Sequence, residues 1–159
     1  MRRFAPALLG LILTLAPAGA GAAPGISVDG AWCVVSRARP GTAFVYLTLT
    51  LRGEPEDQLT GAATDAASRA AILTPHMVRG REVLQPASAI PLGSEAPTVF
   101  QPEDTHIVLS GLQRPLAPGD AFTLSLHFAS AAAQDVLVKV VRQPPSAGMP
   151  DLPSGLKLE

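Results

Sequence analysis

The chain has one cysteine, Cys33, so no disulfide can close within it. Disulfide-stapled miniature folds are therefore excluded, and stability must come from a packed core. Charge is sparse and balanced, with 12 Lys+Arg against 13 Asp+Glu among 159 residues. A nucleic-acid-binding domain needs a clustered basic face, and no such cluster exists in this sequence. Long apolar runs are also missing. The most hydrophobic stretch, residues 8–15 (LLGLILTL), falls well short of the ~20 residues that span a bilayer. There is no nucleophile elbow, no phosphate-cradling glycine loop, no His-Glu-x-x-His helix and no carboxylate pair, so the chain does not read as an enzyme. Soft metal donors are scarce, at three histidines and three methionines.

What is present begins with an export signal. Arg2 and Arg3 precede the short apolar stretch, and the small-residue run 16–23 (APAGAGAA) follows it. Positive charge, apolar core and small residues in that order define a secretory signal peptide over residues 1–23, with cleavage near Ala20 or Ala23. The product is exported to the periplasm and is not membrane-spanning after cleavage. Removing those residues lowers Lys+Arg to 10 against 13 acidic groups, a net charge of −3. Cys33 follows Trp32, and a bulky aromatic does not fit the small residues that precede a lipidated cysteine. In the run AWCVV it reads as a small buried hydrophobe; a reactive or metal-binding thiol is the alternative.

Fourteen glycines and sixteen prolines, dispersed through the chain, cut it into short segments. Residues 26–35, 44–51, 121–128 and 136–141 read as strong strands. In 121–128, Phe122, Leu124, Leu126 and Phe128 share one face while Thr123, Ser125 and His127 share the other, the period-two pattern of a half-buried strand. Weaker strands fall at 58–63, 70–73, 78–84, 98–100 and 106–112, and the Ala-rich pieces 62–71 and 129–133 suggest brief helical turns. Many short strands with Gly/Pro turns predict an all-β sandwich over residues 24–142. The tail 143–159 (QPPSAGMPDLPSGLKLE) cannot bury much apolar area and reads as extended or disordered.

The order of landmarks resembles the periplasmic copper chaperones of the PCu(A)C family. The matching pieces are Asp29-Gly30-Ala31-Trp32, the strand around Tyr46, the segment Asp57-Gln58-Leu59-Thr60-Gly61-Ala62, the strand from His106 to Leu112, and a final hairpin after Pro115-Leu116 and Gly119-Asp120. The resemblance implies a cupredoxin-like or immunoglobulin-like β-sandwich of short antiparallel strands. It also implies a Cu(I) site of two histidines and two methionines, because soft Cu(I) prefers imidazole and thioether. The implied partner is a copper-acceptor protein of the respiratory chain, such as an oxidase copper centre.

This sequence departs from that ligand set. Counting from Gly80 puts the first histidine position at Leu73 and the first methionine position at Leu84, while the His-x-Met pair becomes His106 and Val108. His76 and Met77 (TPHMV) lie between Leu73 and Gly80. A slipped loop redirected by Pro75 would bring them toward His106, giving His106, His76 and Met77 as the candidate metal donors, with Met149 available if the tail folds back. The bland readings are a solvated His76, a core Met77, and a His106 bonded to a backbone carbonyl or to Asp104. Trp32 and Tyr46 read as core aromatics, and His127 as exposed. Two functions follow: a copper chaperone with a diverged site, or a metal-free paralogue that uses Leu73, Leu84 and Val108 as a protein-binding or assembly patch.

Overall fold

The computed structural model describes residues 25–53 and 56–142. Residues 1–23, expected to be a signal peptide, and the expected tail 143–159 lie outside the described residues. Ten strands are formed: β1 (Gly25–Val35), β2 (Thr42–Arg52), β3 (Asp57–Ala63), β4 (Ala67–Val78), β5 (Arg81–Pro86), β6 (Ile90–Leu92), β7 (Thr98–Val99), β8 (His106–Leu112), β9 (Ala121–Phe128) and β10 (Gln134–Val140). No helix occurs among the described residues.

Alternation dictates the two elements that anchor the core. Along β2, Ala43, Val45, Leu47, Leu49 and Leu51 all point inward and are buried. Along β9, Phe122, Leu124, Leu126 and Phe128 do the same while Thr123 and His127 face solvent. Each buried leucine or valine contributes about 1.5–3 kcal/mol of transfer free energy, and these strands repeat that gain every second residue.

The strands follow one hydrogen-bonded path, β5-β4-β8-β2-β1-β10-β9-β3-β6, with β7 attached to β2. Val45, Ile107 and Leu109 from the first half of the path share one buried cluster with Leu59, Leu124 and Val138 from the second. The sheet therefore doubles over itself as a two-layered sandwich around a single core. The fold-over is made at β1. Its register against β2 shifts between Asp29 and Trp32, where Gly30 takes φ 60°. Beyond that bulge β1 also pairs with β10, in parallel, matching Trp32 with Lys139 and Cys33 with Val140. Cys33 and Val140 point into the core, so Trp32 and Lys139 point out. Cys33 is completely buried, and burial pushes its thiol pKa up to about 12. The thiol is thus a small core hydrophobe, and an acyl chain on its sulfur has no room in the folded sandwich.

Asp57 closes the opposite end. Its carboxylate accepts hydrogen bonds from the backbone N–H groups of Gln58 (2.7 Å), Ser130 (2.9 Å) and Ala131 (2.7 Å), tying β3 to the loop after β9. Burial raises the pKa of this carboxyl, but the converging N–H donors outweigh that cost and leave it below the ordinary value.

Several local expectations change. The segment 67–71 is extended, not helical, because Ala67, Ala70 and Ala71 pair with Leu112, Leu109 and Val108 of β8. The two weak strands expected at 70–73 and 78–84 are one long strand and its partner, turned at Arg79-Gly80, where both residues have positive φ (51° and 77°). The strand β6, centred on Pro91, was not expected.

Candidate functional site

Strands β4, β5 and β8 carry the four positions singled out in the sequence. Leu73 of β4 is the register partner of His106 on β8. Register partners share a face, as do residues two apart on one strand. Val108 therefore stands beside His106, and Pro75 beside Leu73. Leu84 of β5 is the partner of Pro75. Leu73, Leu84, His106 and Val108 thus lie on one sheet face, the face turned away from the core residues Ile107 and Leu109.

His106 is 4% exposed. Its Nδ1 donates to the backbone carbonyl of Asp104 at 2.6 Å, which fixes the tautomer and leaves Nε2 as the lone-pair nitrogen. The Asp104 carboxylate does not orient the ring. It accepts instead from the Thr105 N–H at 2.7 Å and from the Gln101 side-chain amide at 3.3 Å. Phe44 meets the imidazole edge-on with centroids 5.7 Å apart, and Tyr46, two residues on along β2, lies 5.9 Å away. Trp32 in turn packs on Tyr46 with centroids at 4.3 Å. Trp32 is therefore part-exposed and not a core aromatic, while Tyr46 is buried as expected, between Trp32 and His106 on the outer face. Burial, followed by the charge of Cys33, raises the Tyr46 pKa.

The two donors expected to move toward His106 are held in regular strand instead of a slipped loop. His76 pairs with Val83 and Met77 with Glu82, and Pro75 stays within β4. Adjacent strand residues point to opposite faces, so Met77 shares the His106 face and His76 does not. Met77 is four residues beyond Leu73, about 13 Å along the strand at ~3.3 Å per residue. The backbone thus brings none of the three candidate donors together. Met149 lies outside the described residues, and His127 projects from β9, in the second half of the sheet path. Among the described residues no group of three or more His, Cys, Asp or Glu side chains is placed to hold a metal ion. The residues at the four positions supply one imidazole and three aliphatic side chains, which does not fit a four-donor Cu(I) site.

The structure adds a feature that the sequence reading missed. Past Leu73, β4 pairs only with β5, so residues 74–85 overhang the sheet as a two-stranded ribbon. Its base is held by the hydroxyls of Thr74 and Thr105 at 3.0 Å. Met77 (71% exposed), Val78, Val83 and Leu84 (43% exposed) all sit on this ribbon. The signal was available in the sequence, as β-branched residues either side of Arg79-Gly80 in a chain whose other strands bury such residues.

The comparisons with known proteins agree with this architecture. The chain matches a family model described as "Putative lipoprotein LpqE-like" over residues 26–140. It is 30% identical over 121 residues to "Putative lipoprotein Lxx21020" of Leifsonia xyli subsp. xyli, an alignment covering 74% of this chain and 70% of that protein. Its fold is similar to that of the copper-bound PCuAC domain from PmoF2, with a TM-score of 0.62 and 17% identity over 76% of this chain and 97% of that domain. It is likewise similar to the solution structure of CuI-DR1885 from Deinococcus radiodurans, with a TM-score of 0.58 and 24% identity over 72% of this chain and 77% of that one. No helix among the described residues is long and apolar enough to cross a membrane. With the sandwich, the order of its landmarks and the match over nearly all described residues, the chain belongs to the LpqE-like family, which is the PCuAC family.

Proposed function

We propose that this chain is an exported copper-handling protein that takes up Cu(I) at a reduced site built on His106 and passes it to a copper-acceptor protein, such as an oxidase copper centre. The observation that carries the reading is the state of His106. Its Nδ1–H is committed to the Asp104 carbonyl, so Nε2 offers a lone pair at the place where the family positions converge. Such outer hydrogen bonds orient metal-binding imidazoles and raise their basicity. Copper-bound structures with this fold support the cargo.

The second donor in this reading is Met77. It shares the His106 face and hangs on a two-stranded ribbon, an element only marginally rigid by itself. Bending the ribbon over the face brings the thioether toward Nε2, and twisting it brings His76 in from the reverse side. One imidazole and one thioether hold Cu(I) more loosely than a four-donor set, which suits a donor more than a store. The signal-like segment 1–23 and the lipoprotein descriptions of the relatives support export.

The test is a Cu(I) titration of the reduced mature protein against a chromophoric chelator, beside His106→Ala and Met77→Leu. Stoichiometric binding that weakens in both variants supports the reading; a wild type that cannot compete with even a weak chelator overturns it. A second reading is favoured by Leu73, Leu84 and Val108. These side chains turn the family's ligand positions into an apolar surface, as a metal-free binding or assembly module would require. Loss of all copper binding together with retained fold leaves that second reading standing.

A further inference from the structure

The sheet path has two ends, and they are protected unequally. At one end β6 is three residues long, and its central Pro91 has no N–H to offer. Shortness and proline are two of the devices that keep a sheet edge from pairing with another chain. At the other end β5 runs for six residues, all of them exposed, with its proline only at the last position. Its ladder with β4 has no register shift, and its outer side meets no strand among the described residues.

We propose that β5 is the seam of a symmetric dimer, pairing antiparallel with β5 of a second copy of this chain. The inference does not depend on copper. It rests on which backbone groups β5 turns outward. The Ala87 N–H donates to the Ile72 carbonyl at 2.9 Å, so Ile72 and Ala87 form a hydrogen-bonded pair. Bonded and non-bonded pairs alternate along an antiparallel ladder. Counting from Ala87, the residues Gln85, Val83 and Arg81 also turn their N–H and C=O groups toward β4. The Arg79-Gly80 turn agrees, because a two-residue hairpin closes on a bonded pair, here Val78 and Arg81. Glu82, Leu84 and Pro86 therefore point theirs away from β4, at the open edge.

A dimer about a two-fold axis normal to the sheet needs a strand that complements itself. Centring the pair on Leu84 meets that need. Leu84 faces the second copy's Leu84 and the two exchange both hydrogen bonds, while each Glu82 N–H meets a Pro86 carbonyl. Every outward donor is then used, and only the Glu82 carbonyls are left to water.

Side chains decide the register. On the His106 face the row across the axis reads Pro75, Leu84, Leu84, Pro75, which takes the 43% exposed Leu84 out of water. The two Glu82 carboxylates stand four residues apart, about 13 Å along the strands at ~3.3 Å per residue. A register centred on Glu82 would oppose them directly, and one centred on Val83 would set each against a Leu84. Both His106 faces look to the same side of the joined sheet.

The experiment is sedimentation of the reduced mature chain, with chelator present, over a wide range of concentrations, beside Leu84→Lys and Val83→Lys. Circular dichroism confirms the fold of each. The native chain is expected to dimerise, and Leu84→Lys to weaken the dimer by about tenfold or more, since it opposes like charges at the axis. Val83→Lys puts the same charge on the other face, opposite a Gln85, and should leave the dimer in place. Cross-linking checks the register. The Cα atoms of a bonded pair are ~5.5 Å apart, inside the range a disulfide spans. Under mild oxidation Leu84→Cys should therefore close a disulfide between copies and Glu82→Cys should not, the native Cys33 being buried. A native chain that stays monomeric at every concentration overturns the proposal. So does a dimer that Leu84→Lys leaves intact, that Val83→Lys dissolves as completely, or that Glu82→Cys bridges as readily.

Discussion

Leu73 and His106 face each other across the β4–β8 ladder, so the side chain opposite the buried imidazole is aliphatic. With Leu84 and Val108 on the same face, the backbone presents four converging positions and only one donor. Leu73→His, Leu84→Met and Val108→Met together should therefore rebuild a four-donor Cu(I) site without moving any strand. The expected outcome is a Cu(I) affinity gain of at least ~10–100-fold, the scale that even outer-sphere partners contribute in metal sites. Chelator competition on the triple variant checks it. An unchanged affinity would mean that the positions do not converge in solution.

Cys33 provides a probe of the core. Its thiol is fully buried and its pKa is pushed up to about 12, against 9.0 for a free thiol. The folded state keeps the proton longer than the unfolded chain does. This contribution to stability is therefore complete below the free-thiol value and falls away as pH climbs from there toward about 12. In the native protein an aromatic disulfide reagent at pH 8 should leave Cys33 unmodified, and in denaturant the thiol should react at once. Rapid native labelling would place Cys33 outside the core.

The sequence located two strands to the residue, β8 and β9, and β9 alternates cleanly between a buried and a solvent face. Those that it broke or missed contain proline. Pro75 reads as a breaker, but beyond Leu73 one flank of β4 is open, so its missing N–H deprives no ladder of a partner. Pro91 is tolerated in β6 because that strand ends the sheet path. The Ala-rich start of β4 favours helix locally, and pairing with β8 overrides that preference. At the site, the spacing of positions 73, 84, 106 and 108 was legible, and the structure puts all four on one face. The side on which His76 falls was not, because it depends on whether TPHMV is loop or strand. The outward aim of Trp32 was hidden as well, since it follows from the bulge at Gly30.

Asp57 holds the far end of the sandwich through three backbone N–H donors. Its folded pKa is below the unfolded value, so the stability it adds is present above the ordinary carboxylate pKa and is lost as pH falls through the lowered one. Asp57→Ala should cost about 1–2 kcal/mol by stranding those donors. The variant should also lose part of the acid dependence of unfolding. Urea melts at pH 7 and at pH 3 check both: the gap between wild type and variant should shrink at the lower pH. A gap of equal size at both values would assign the cost to packing and not to charge.

Gly111 is the one glycine of β8, the strand that carries His106. Its φ is +66°, and a Cβ there would collide with the Ser68 Oγ. That hydroxyl donates to the Ser110 carbonyl at 3.1 Å, bracing β4 against β8 at the end of the ladder opposite His106. Gly111→Ala thus carries two costs. The left-handed backbone costs a non-glycine residue about 1–2 kcal/mol. Displacing Ser68 forfeits a hydrogen bond of about 0.5–1.5 kcal/mol. The two are separable, because Ser68→Gly removes the obstructing hydroxyl. In a background of Ser68→Gly, which has already lost that bond, Gly111→Ala should cost only the backbone part. Urea denaturation of the two single variants and the double variant gives the cycle, and strict additivity would show that Ser68 and Gly111 do not meet.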